Sequence, residues 1–258
     1  MRTLSDEQAW AKWQEIGAMA ERLSNRAGSE GGFTVSPGSP LAGDDAHCQP
    51  YHVSHAVTTN IISAIDHLHA MCALILRSGV LHAAAPATLA RAILECASTA
   101  IWIAVPGRRD ERVRRALRWN VQDIKDGDRA AAEAGLEVPT PLQDRMDKIE
   151  AVAMRRSLEF KPISGGYKST EAVKAAEEYL ASPLRVCFPW QLASGFAHGR
   201  RWAMLAFADL LPTLPTADPD VVKLRWENDN TIVLYLGMAA AIAVKGAIRL
   251  YDERSKSP

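Results

Sequence analysis

Between Pro86 and the pair Pro106-Gly107 runs a stretch, ATLARAILECASTAIWIAV, whose Leu89, Ile93, Leu94, Ala97, Ile101 and Ile103 leave almost no face for solvent. Pro86 suits a first helical turn and Pro106-Gly107 a stop, so the stretch predicts a helix over 86–105. A helix apolar on nearly all sides is stable only when other elements enclose it. The rest of the chain must therefore supply several packing partners.

Those partners are legible as further helical periods. Ser5 and Gln8 form a capping-box signature ahead of Trp10, Trp13, Ile16, Ala20 and Leu23, predicting a helix over 5–26. Apolar residues at helical spacing predict others over 52–77, 110–134, 140–158, 170–181, 189–211 and 229–254. Residues 221–226 alternate as a strand does, but with no second strand to pair with they read as extended loop or helix start. The expected fold is an all-α, single-domain bundle of seven to eight helices over 1–258, with its core in 52–254. Residues 27–50 are rich in Gly, Ser, Pro and Asp, and this composition predicts a flexible loop.

Charge narrows the partners. Lys plus Arg equals Asp plus Glu at 30 each, so affinity for a polyanion must come from a local patch rather than from net charge. The four cysteines, Cys48, Cys72, Cys96 and Cys187, are widely spaced without a C-x-x-C pair, which predicts free thiols in a reducing cytoplasm. MRTLSDEQAW lacks an apolar signal region, and the uncharged run 231–244 is shorter than the ~20 residues of a membrane span. The expectation is a cytoplasmic protein with no membrane partner.

Two stretches carry candidate chemistry. The helix over 86–105 bears one polar line, Arg91, Glu95, Ser98 and Trp102. Arg91 and Glu95, four residues apart, read either as a structural pair or as an acid or base with its cation. In WQLASGFAHGRRWAML, Ser194, His198 and Arg201 stand at i, i+4 and i+7, on one stripe of the helix over 189–211. Small neighbours, Gly195, Ala197 and Gly199, admit a ligand or a second helix close to His198. The candidate catalytic set is His198, Glu95, Arg91 and Ser194. The candidate substrate-binding set is Arg201, Trp190 and Trp102, with Asp66 and His69 from the polar stripe of 52–77. Against these stand plainer readings. A helical histidine is often a structural group, and a mid-helix serine commonly bonds its own i−4 carbonyl.

His47, Cys48, His52 and His55 cluster near an expected loop, and no helix carries the E-x-x-H pair of di-iron bundles. The sequence therefore predicts neither a metal nor another cofactor. In RRDERVRRALRW, Arg112, Arg115 and Arg118 are candidate RNA-phosphate contacts beside Trp119, with a solvated helix face as the alternative.

RAILE followed by Trp102 and Pro106, then WQLASGFAHG, resembles a group of uncharacterised helical proteins common in high-GC bacteria, over about 52–254. That group is distantly similar to the HEPN superfamily, helical bundles that often act as metal-independent ribonucleases in toxin and phage-defence systems. The resemblance implies a homodimer with an Arg and a His at its cleft, and Arg77 and His82 in RSGVLH match the HEPN spacing of Arg, four to six residues, then His. The leading expectation is thus a metal-independent ribonuclease with His198 as general acid/base, Arg201 and Arg91 stabilising phosphate charge and Glu95 orienting one of them. The alternatives are a non-catalytic helical binding module, or a small-molecule enzyme using the cleft between the helices over 86–105 and 189–211.

Overall fold

The computed structural model describes residues 5–78, 82, 84–207, 209–211, 225–227 and 230–257. Among them the chain forms eleven helices: α1 (Asp6–Gly28), α2 (Pro40–Cys48), α3 (Val53–Arg77), α4 (Ala85–Ala104), α5 (Arg109–Glu133), α6 (Leu142–Arg155), α7 (Phe160–Ser164), α8 (Ser169–Leu180), α9 (Cys187–Ala197), α10 (Arg201–Phe207) and α11 (Asn230–Ser255). The fold is helical, as the periodicity predicts, but the expected count of seven to eight helices is corrected to eleven among the described residues, because α2 and α7 form in stretches of loop-like composition and α10 is split from the expected helix over 189–211.

At its centre stands α4, which packs on α3, α11, α8, α9 and α5. Ile93, Leu94, Ala97, Ile101, Trp102 and Ile103 are all buried along it, so its all-round apolarity is met by neighbours on every side. α1 lies against α3 and α11. There Gly237 of α11 makes room for the Trp13 indole, since a methyl group at that position would sit 2.3 Å from the ring. The Ser5 and Gln8 capping box closes at the start of α1, with the Gln8 amide donating to the Ser5 hydroxyl (3.2 Å) and the Ser5 amide to the Gln8 side chain (3.0 Å).

Three local expectations are corrected. The stretch 27–50, read as a flexible loop, contains α2: Ser39 accepts a capping bond from the Ala42 amide, Pro40 opens the first turn, and Leu41, Asp44 and Cys48 are buried. Loop-like composition concealed a Ser-Pro helix start, and the burial of Asp44 depends on a distant arginine described below. The single helix over 189–211 is two helices. Gly199, at φ +60°, ends α9 in a Schellman motif, with the Arg200 amide donating to the Gly195 carbonyl (2.8 Å) and the Gly199 amide to that of Phe196 (3.1 Å). Lastly, Arg225–Glu227 is a strand (β2) pairing antiparallel with Asp209–Leu211 (β1), Leu210 opposite Trp226. β1 is three residues long and lies within the stretch expected to be helical over 189–211, too short for a period-two pattern to show.

Among the described residues, α3, α4 and α11 are long and apolar enough to cross a membrane by length and composition. The uncharged run of 231–244 understates α11, because a window that admits two charges extends farther along the helix. In the fold the three helices pack against one another.

Candidate functional site

Glu95 is the hub of a polar seam between α4, α9 and the first turn of α8. One carboxylate oxygen, Oε1, accepts from the Ser169 hydroxyl at 2.6 Å. The other, Oε2, accepts from the Trp190 indole N–H at 3.2 Å and pairs with the Arg91 guanidinium at 3.2 Å. Arg91 also donates through Nε to the Ser194 hydroxyl at 2.9 Å, tying α4 to α9 over a distance of 103 residues in the chain. The sequence-derived pairing of Arg91 and Glu95 with the 189–211 segment therefore holds for Arg91, Glu95, Trp190 and Ser194. Helical spacing places Arg91 and Glu95 on one side of α4, and Trp190 and Ser194 on one side of α9, so each pair meets the other across the interface.

Ser169 was not among the candidates. It opens α8 directly after a Gly-rich loop, and nothing in local pattern aims that hydroxyl at a carboxylate 74 residues upstream. Beside the seam, burial pushes the Tyr167 phenol above its usual value, with the Thr99 hydroxyl acting in the opposite direction. Burial likewise pushes the Cys96 thiol up to about 11, to which the charge of Glu95 adds. Cys96 is accordingly a protonated thiol at neutral pH and a poor nucleophile.

Other candidates are placed elsewhere. Trp102 is buried, stacked on Tyr167 at 5.4 Å, and capped by the Arg115 and Arg118 guanidiniums at 5.3 and 5.2 Å from its ring. It is a core residue with no surface to offer a substrate. Asp66 is exposed on α3, and His69 of the same helix meets Glu21 of α1 at 3.0 Å, so neither reaches the seam. The break at Gly199 takes His198 and Arg201 off the stripe that carries Ser194, and the one-stripe reading of the three is corrected accordingly.

Three arginines of α5, Arg112, Arg115 and Arg118, are held by groups of the fold itself. Arg112 is buried against Asp44, donating at 2.6 and 2.8 Å to its two oxygens and at 2.8 and 2.9 Å to the Pro106 and Gly107 carbonyls. Arg115 binds Glu111 and the Trp102 carbonyl, and Arg118 grips Glu171 through two bonds at 2.8 and 2.7 Å. Their charges are neutralised within the fold, which corrects the reading of Arg112, Arg115 and Arg118 as a phosphate-facing row.

One group of exposed cations lies at the corner between α9 and α10. His198, Arg200, Arg201 and Trp202 are all exposed, and among the described residues no hydrogen bond or ion pair engages the three titratable side chains. Trp202 is 50% accessible while its inner edge rests on Gly195, where an added methyl group would lie 2.8 Å from the ring. The indole is thus anchored by one edge and open on the other. Arg200 escaped the sequence analysis because it falls off the helical stripe that the turn at Gly199 abolishes. His82, the histidine of the HEPN-like spacing, is exposed, Arg77 is at the end of α3, and residues 79–81 between them lie outside the described residues.

Among the described residues, no group of three or more His, Cys, Asp or Glu side chains converges as metal ligands. His52, at the N-cap of α3, stacks on His55 at 4.6 Å, while the nearby Cys48 thiol is buried. No protein-family model, curated protein or solved structure matches the chain.

Proposed function

We propose that the protein is a helical RNA-binding module that contacts single strands at the α9–α10 corner, with the Glu95 seam as the rigid support behind it. The observation that carries the reading is the exposed group Arg200, Arg201 and His198 beside a half-exposed Trp202, without an acidic counter-ion among the described residues. Guanidiniums and an open indole face are the two elements by which proteins hold single-stranded nucleic acid without reading its sequence. A chain of zero net charge needs such a local patch. The reading keeps the RNA partner that the HEPN-like resemblance implies and moves the contact from α5 to the corner. It assigns His198 to binding rather than proton transfer, because a general acid or base acts best when a second group orients it, and none does so among the described residues.

The test is fluorescence anisotropy of a labelled single-stranded oligouridylate over a salt series, for the parent chain, Arg200→Ala/Arg201→Ala and Trp202→Ala. The double variant is expected to flatten the log affinity against log salt slope by about 1.4, at ~0.7 per lost phosphate contact on a single strand. Trp202→Ala is expected to weaken binding by about 1–3 kcal/mol with the slope kept, the usual worth of one stacked base. An oligomer that binds the double variant as tightly as the parent refutes the assignment. Cleavage of the RNA in the presence of a chelator, lost in His198→Gln, would replace binding by catalysis.

A further inference from the structure

A second site lies away from the corner, in the groove between the C-terminal half of α1 and that of α11. Its volume is about 580 Å³, within the range of pockets that take small molecules. Met19 and Leu23 of α1 and Ile248 of α11 form its floor. Arg22, Lys245 and Lys256 stand on the rim, and among the described residues none of the three has an acidic partner. The acids that share the groove are already engaged: Asp252 takes two bonds from Arg26, at 2.5 and 3.1 Å, and Glu253 lies 3.8 Å from Arg249.

Spacing explains why this face is built so. Met19, Arg22 and Leu23 stand at i, i+3 and i+4, and Lys245, Ile248 and Arg249 repeat that spacing on α11, so α1 sets one cation between two apolar residues and α11 one apolar residue between two cations. Lysine and arginine stems lay methylenes along a groove while their charged heads stay in water, which makes the walls apolar and the rim cationic. An apolar trough under unpaired cations is complementary to one chemistry, an alkyl chain that ends in an anion. A neutral hydrocarbon leaves the rim unused, and a short anion leaves the floor unused.

We propose that this α1–α11 groove binds a single-chain alkyl anion, a carboxylate or phosphate headgroup held by Arg22, Lys245 and Lys256 with the chain lying over Leu23 and Ile248. The inference is independent of the RNA-binding reading and fails or stands separately.

The experiment is isothermal titration of the full chain with decanoate and decyl phosphate below their micellar concentrations, with butyrate and decanol as controls. The same measurements are made on Lys245→Glu/Lys256→Glu and on Leu23→Asp, each first checked for an unchanged melting temperature. One decyl anion per chain is expected, with at least tenfold weaker binding of butyrate, of decanol and of decanoate to the charge-reversed pair. Sedimentation with phosphatidylglycerol vesicles distinguishes the source of the headgroup. Binding to vesicles without binding of free decyl anions overturns the proposal in favour of a membrane-surface patch. Equal affinity for butyrate and decanoate overturns it in favour of a bare cationic surface. If Leu23→Asp alters the fold, Leu23→Ala with decanoate of varied chain length reads the same floor, and an affinity independent of chain length overturns the proposal.

Discussion

Two arginine–carboxylate networks in this molecule use the same chemistry to opposite ends. At the junction of α2 and α5, Asp44 is 0% exposed and Arg112 4%, and the guanidinium spends its bonds on both carboxylate oxygens and on the two carbonyls that follow α4. At the seam between α4 and α9, Arg91 and Glu95 are 34% and 24% exposed, and their other partners are two hydroxyls and an indole. The first network is closed at its centre, where Asp44 and Arg112 are shielded from water, and only Arg109, which adds a bond to Asp44 at 3.2 Å, reaches solvent. The second is open on one side, and its neutral partners can be exchanged for water at little cost. Closure, rather than residue type, separates a clamp sealed from water from one that solvent reaches.

The sharpest way to break the comparison is to remove the carboxylate of the closed network. Asp44→Ala leaves Arg112 buried without its counter-ion, and an expected loss of about 3–5 kcal/mol in chemical denaturation follows. A loss below about 1 kcal/mol would show that water reaches Arg112 and that the two networks belong to one class.

The open network should lose less. Glu95→Ala strands the Trp190 indole N–H, the Ser169 hydroxyl and part of Arg91, all within reach of solvent, for an expected cost of about 1–3 kcal/mol. A double-mutant cycle with Arg91→Ala isolates their pair, and an expected coupling of about 0.5–1 kcal/mol is that of a solvent-screened ion pair rather than a buried one. Coupling above about 3 kcal/mol would move the seam into the class of the clamp.

The contrast also explains what the sequence could and could not convey. The central helix was legible because all-round apolarity has one physical solution, enclosure, and Pro86 and Pro106-Gly107 mark its ends. Arg91, Glu95, Trp190 and Ser194 were legible because polar residues in two apolar helices must find each other. The closed clamp was not legible, since Asp44 belongs to a segment of loop-like composition and its partner Arg112 to a run that reads as a solvated face. Neither feature is visible until the fold brings residues 68 positions apart together. The break at Gly199 hid for a different reason. A glycine inside a helical period costs about 1 kcal/mol against alanine and is commonly tolerated, so periodicity reads through it, whereas here positive φ and the bonds of a Schellman turn end the helix.

A third network tests the role of exposure at fixed geometry. Arg118 grips Glu171 as fully as Arg112 grips Asp44, yet the Glu171 side chain is 43% exposed. The bonds from Arg118 hold the Glu171 carboxyl below its ordinary value of 4.5, with burial pushing in the opposite direction. A carboxyl whose folded value is depressed adds stability that is fully present above the ordinary value and disappears as pH falls through the folded one. Glu171→Gln should therefore cost less than about 1 kcal/mol at pH 7 and nothing once the pH lies below the folded value, so the two stability curves converge on acidification. Curves that stay parallel down to that pH would mean that packing, not charge, accounts for the difference.

The smallest expected effect is at His198, and it bears directly on the corner. Its ring projects from the Ccap of α9 into solvent, and its backbone, not its side chain, closes the helix by donating to the Ser194 carbonyl at 3.0 Å. His198→Gln keeps that amide and removes only the imidazole, so the expected change in stability is within about 0.5 kcal/mol, the size found at surface positions away from networks. Ser194→Ala, one turn earlier on α9, also breaks the bond from Arg91 and should cost more, about 0.5–1.5 kcal/mol. If the order reverses and His198→Gln proves the more damaging, the imidazole is part of the seam's support, and the boundary drawn here between a rigid Glu95 network and a free cationic corner must be moved past Gly199.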